Sequence, residues 1–103
     1  MDHVADIQKY SSGVDEAVVA KMQRTYALAL QKQDSRTVAF SDQAELDRVR
    51  TNFVKKKLGV TDADDAIDAA IKDVGAKIKG QKNRLTVYYL LAEHYGKLSV
   101  FGG

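Results

Sequence analysis

Cysteine and proline are both absent from this chain of 103 residues. Without cysteine there are no disulfides, zinc-thiolate sites or thiol nucleophiles, and the composition suits a reducing compartment. Without proline, and with most of the seven glycines falling where helices should stop, the chain favours helices joined by short turns. Long apolar runs are lacking too. The longest unbroken one is Val87 to Ala92, far short of the ~20 residues of a membrane span. The opening Met1-Asp2-His3-Val4 has neither the basic patch nor the apolar stretch of a signal peptide. These features lead us to expect a cytoplasmic protein with no membrane association. Charge of one sign is lacking as well: sixteen basic against fourteen acidic side chains leave a net charge of +2, too balanced to indicate nucleic acid by composition.

The length predicts one helical domain over 1–103, with a radius of gyration of roughly 13 Å and a short disordered C-terminal tail at about 99–103. Hydrophobic periodicity places the helices. A short one is expected over Asp2 to Tyr10, with Val4 and Ile7 one turn apart, before the break at Ser11-Ser12-Gly13. Asp15 to Lys32 follows, with Val18, Val19, Met22, Tyr26, Ala29 and Leu30 in one arc and Leu28 outside it. Asp34 to Phe40 reads as a loop.

A third helix is expected over Asp42 to Leu58, with Asp42 and Glu45 as a capping pair and Gly59 as its terminator. Thr61 is expected to cap a fourth helix striped by Ile67, Ile71, Val74 and Ile78. Its acids crowd the start and its bases the end, matching the helix dipole. Gly75 inside it costs helix propensity and permits close packing. Asn83 is expected to cap a fifth helix, Arg84 to Tyr95, which is apolar nearly all round and therefore buried. Thr37 to Phe40 is the only partner a strand reading of that segment would have, and one short pair is not a stable sheet. The fold class is all-α: a compact bundle of four main helices plus a short N-terminal one, with the C-terminal helix central.

Two blocks, SDQAELDRVRTNFVKKKLG from Ser41 to Gly59 and RLTVYYLLAEHYGKL from Arg84 to Leu98, together with Ala5-Asp6-Ile7-Gln8-Lys9-Tyr10, resemble a family of small bacterial proteins catalogued as a domain of unknown function. The resemblance covers most of the chain. It implies a compact helical bundle from a bacterial cytoplasm and assigns no catalytic residue.

Several local patterns suggest chemistry and then fail a physical requirement. The corner at Leu58-Gly59-Val60-Thr61 looks like a helix-turn-helix. Its second helix would carry Asp62, Asp64, Asp65 and Asp68 into a phosphate-lined groove, which repels them. The same acids do not make an EF-hand, because the sixth and twelfth positions from Asp62 are Ile67 and Asp73. Neither His3 nor His94 has a second histidine at ligand spacing. No glycine-rich phosphate loop, nucleophile elbow or metalloprotease helix is present. We therefore expect no catalytic residue, no metal and no cofactor. The terminal diglycine has no β-rich modifier fold around it.

What remains is surface. Lys55, Lys56, Lys79, Lys82 and Arg84 are the candidate contacts for an anionic partner or nucleic acid, although Lys55, Lys56 and Lys57 scatter over about 200° of a helical wheel. Lys57 and Arg50 lie near the apolar arc, where their stems can pack while their heads reach water. Tyr88, Tyr95 and His94 are candidates to line a small pocket. The reading by elimination is a non-catalytic protein-interaction module, self-associating if the apolar perimeter of the fifth helix exceeds what so short a chain can cover. The alternative is a weak, salt-sensitive nucleic-acid binder.

Overall fold

The N-terminal helix α1 (His3–Gln8) starts at Asp2, whose carboxylate accepts from the Ala5 amide at 3.1 Å. The computed structural model describes residues 2–102. Helix α2 (Glu16–Thr25) is capped in the same way by Asp15, which accepts from Ala17 and Val18. Its inner face buries Val18, Val19 and Met22.

The long helix expected to Lys32 is broken at Tyr26, and α3 (Ala27–Gln31) continues from there. Thr25 donates its hydroxyl to the Lys21 carbonyl at 2.8 Å, a back-bond that bends helices. Tyr26 (φ −110°, ψ 21°) turns its ring edge-on to Tyr88. The expected loop opens with one more turn, α4 (Gln33–Arg36). Ser35 Oγ and Arg36 Nε donate to the Ala29 and Leu30 carbonyls, satisfying the end of α3. Beyond it Thr37 makes a single antiparallel bridge to Asn83, with the Val38 amide donating to Lys82 O at 2.9 Å.

Helix α5 (Gln43–Arg48) is capped by Asp42, which accepts from Ala44. Glu45 does not complete a capping box; it turns inward to Arg84 and Arg48. The helix then widens into a π-helical segment, Val49–Lys55, with i→i+5 bonds from Lys56 N to Thr51 O and from Leu58 N to Phe53 O. Val49, the Phe53–Val54 pair and Leu58, all buried, recur every four to five residues, a period an α-helix does not match. The widening brings Leu58 rather than Lys57 onto the core. Lys57 stays exposed, its ammonium 5.2 Å from the Phe101 ring centroid.

Left-handed Gly59 (φ +72°) closes the corner. Helix α6 (Asp64–Lys77) begins after Ala63, not Thr61, and has no side-chain cap. Asp64, the expected partner of Thr61, is drawn instead to Lys55 and Arg50. Arg50 also holds Asp47 at 3.2 Å and Asp68 at 2.9 Å. The acids at the start of α6 thus lock it to the π segment. Gly75 allows close approach: a Cβ there would stand 2.6 Å from Cδ2 of Phe40.

Helix α7 (Arg84–His94) is central. Every residue from Leu85 to Ala92 is buried, enclosed by α1, α2, α4, α6, the π segment and a 3₁₀ turn at Leu98–Phe101. The other elements of the chain cover the apolar perimeter of this helix from Leu85 to Ala92. Leu28 and Val100 are the exposed large hydrophobics among the described residues. Asn83 precedes α7, but its amide donates to Asp6 at 3.0 Å instead of capping the helix.

Within the stretch expected as a tail, Phe101 is buried and stacks in the aromatic cluster from a 3₁₀ turn; residue 103 lies outside the described residues. The result is an all-α bundle with a Cα radius of gyration of 12.4 Å and no strand among the described residues.

Candidate functional site

The five basic residues singled out in the sequence do not form one patch. Lys55 pairs with Asp64 at the start of α6. Lys79 and Lys82 follow its end, about 20 Å away along a helix of this length. Lys82 Nζ donates to the Gly75 and Ile78 carbonyls at 2.8 and 2.9 Å, so it closes the C-terminus of α6. Arg84 is nearly buried and held by three partners. Lys56 and Lys79 are exposed. Tyr95 and His94 meet edge to face at 4.8 Å, but His94 is exposed, and Tyr88 faces a different cleft.

Two clefts carry the arrangement instead. The first is a shallow, mostly apolar groove of about 290 Å³ where Phe40 lies on Gly75, bordered by Ala76, Lys72 and Lys82. The Lys82 ammonium sits 5.7 Å from the Phe40 ring centroid. The half-buried ring faces outward there because Gly75 leaves space for it and no more. Gly75 was the signal for this groove in the sequence, though Phe40 as its partner was not legible.

The second cleft, about 430 Å³, lies among α4, α5 and α7 and is lined by charged and polar residues, with Lys32, Ser35, Arg48, Asn52 and Tyr88 on its walls. Glu45 anchors its floor. One carboxylate oxygen takes Arg84 Nη2, and the other takes Arg48 Nε at 3.3 Å and Nη2 at 2.9 Å. Arg84 Nη1 donates to the Tyr88 hydroxyl at 2.9 Å, and its Nε donates to the Ser35 carbonyl. Burial works against the Arg84 charge, but Tyr88 and Glu45 more than offset it and hold its pKa above the ordinary value. Burial raises the Tyr88 pKa, and Arg84 only partly counters it, so the phenol keeps its proton at neutral pH. Sequence reading missed this site because Glu45 was assigned to a helix cap and Arg84 to the surface.

On the opposite side of α7, Asp6 is a buried acceptor for Asn83 and Thr86. His3 lies beside it, and burial lowers its pKa. Among the described residues no cluster of three or more acidic or histidine side chains is placed to hold a metal, and no helix is long and apolar enough to cross a membrane.

Buried α7, an ion-paired corner and two clefts define a small all-α protein. The chain belongs to the family described as "Protein of unknown function (DUF2853)", whose profile matches residues 2–99. No curated protein matches it.

Proposed function

We propose that the chain is a non-catalytic interaction module of the bacterial cytoplasm, docking a protein segment that presents an apolar side chain flanked by carboxylates. The observation that carries this is the groove at Phe40. An aromatic face, a helical glycine and Ala76 form an apolar floor bordered by Lys72 and Lys82. An apolar anchor gains burial there, and neighbouring carboxylates meet two cations. The cytoplasmic setting rests on the cysteine-free composition, and the bacterial one on the family resemblance. The nucleic-acid reading draws less support, because Lys55 and Arg84 have carboxylate partners within the chain.

The test is affinity capture from the source cell followed by crosslink mapping, comparing the native chain with Ala76→Glu and with Lys21→Glu on α2. A captured protein crosslinked at Lys72, lost with Ala76→Glu and kept with Lys21→Glu, is the expected result. Capture indifferent to Ala76→Glu, or none, overturns the proposal. Light scattering in parallel would reveal a second copy as the occupant, which counts against an external partner.

A further inference from the structure

We propose that the cleft among α4, α5 and α7 is a binding site for a small oxyanion, a carboxylate- or phosphate-bearing molecule, held by the Tyr88 hydroxyl, Arg48 and Lys32. This site is separate from the groove at Phe40 and stands without it.

The inference starts from hydrogen-bond capacity. Tyr88 Oη accepts from Arg84 Nη1, so its own hydrogen remains to be donated, and among the described residues none accepts it. Tyr88 lines the cleft, where a ligand oxygen can take that role. Arg48 spends Nε and Nη2 on Glu45 and keeps Nη1. Lys32 and Asn52 stand exposed at the rim.

Charge supports the same ligand. Lys32, Arg48 and Arg84 face Glu45 and Asp34 across the cleft, leaving an excess of one cation. Both oxygens of Glu45 are already taken, so it orients the two guanidinium groups rather than competing with an incoming anion. Arg84 has its Nε, Nη1 and Nη2 engaged, which fixes the phenol in place before any ligand arrives.

A purely structural ion pair would account for Glu45 and Arg84. It would not account for an opening of about 430 Å³ above them, a volume within the range of roughly 300–1,000 Å³ typical of small-molecule sites. Burying such a pair beside an open cleft, rather than sealing it with apolar side chains, gains no stability by itself.

Amide NMR titration of the full chain with inorganic phosphate, and separately with succinate, at constant ionic strength tests the site. The expected result is saturable shifts at Ser35, Arg48, Asn52 and Tyr88 with either probe or both, the stronger one naming the source of the oxyanion. Tyr88→Phe keeps the ring and removes one charge-assisted hydrogen bond, so it should raise Kd by about tenfold. Lys32→Gln, at an exposed position, should raise Kd with no change in fold. Lys77→Gln should leave Kd unchanged. Shifts absent from the cleft, or spread over Lys56, Lys77 and Lys79 and indifferent to Tyr88→Phe and Lys32→Gln, would overturn the proposal.

Discussion

The ring of Tyr88 lies on the ring of Phe53, their centroids 3.9 Å apart and their planes 10° from parallel. This contact joins the central helix to the π-helical segment. Tyr26 meets both rings edge-on, and Phe101 stacks beyond Phe53. One cluster therefore gathers side chains from four separate stretches of the chain.

Phe53→Ala should be the most damaging of the aromatic truncations. Phe53 is 2 % exposed and touches the other three rings, so its loss should cost about 3–5 kcal/mol in urea unfolding. Tyr88→Phe, which preserves the stack and removes only the hydroxyl, should cost about 1 kcal/mol. Equal costs for the two would show that the stack contributes little.

Glu45→Gln should cost about 3 kcal/mol, because it leaves the nearly buried Arg84 without its counter-charge. The double variant Glu45→Leu with Arg84→Met should cost clearly less than the sum of its parts. A double-mutant cycle by chemical denaturation measures that coupling, and additive costs would refute it.

Asp6 should make stability depend on acid pH. Burial opposes its charge, but hydrogen bonds from Thr86 and Asn83 and the nearby Lys9 prevail, and its pKa lies below 3.8. The unfolded chain therefore takes up this proton first as pH falls. The contribution of Asp6 is complete above the unfolded pKa and is lost as pH drops through the lower folded one. Asp6→Asn should lower stability at pH 7, and its gap from the native chain should narrow below about pH 4. A gap of constant size from pH 7 to pH 2 would contradict this.

Gly75→Ala should expel Phe40 from its seat. The new methyl group would meet Phe40 Cδ2 at 2.6 Å and Cζ at 2.8 Å, and the ring is the part that can move. Alanine gains about 1 kcal/mol of helix propensity, which offsets part of the lost contact, so unfolding shifts little. The readout is NMR: the ring-current shift on the Lys82 side chain, whose ammonium lies over Phe40 in the native chain, should vanish. If it persists, the groove is not set by Gly75.

Local chemistry in the sequence foretold much of this molecule and long-range pairing little of it. The aspartate cap at Asp42, the stop at Gly59 and the buried α7 follow from propensity and periodicity, which act within a few residues. Glu45 shows where such reasoning ends. Its position suits a capping box, yet Arg84, thirty-nine residues on, is the stronger partner. Thr61 fails as a cap for the same reason, because Asp64 has cations to meet on the facing segment. A lone aromatic near a terminus carries no period, and Phe101 finds its place only through the distant rings of Tyr26 and Phe53. Both clefts depend on such distant pairs, so neither could be drawn from spacing.

The π-helical segment at Val49–Lys55 acts as a single extra residue wedged into a helix, and it sets an angular phase. That extra residue keeps Glu45, ahead of it, turned to Arg84 while Phe53, within it, lies against Tyr88. Deleting one exposed residue there, such as Thr51, would let an ordinary α-turn re-form with both flanks in their present phase. The same deletion in the regular helix α6 would turn one end against the other by about 100°, so the π segment is a place where the chain can change length without rotating its cleft away from its core.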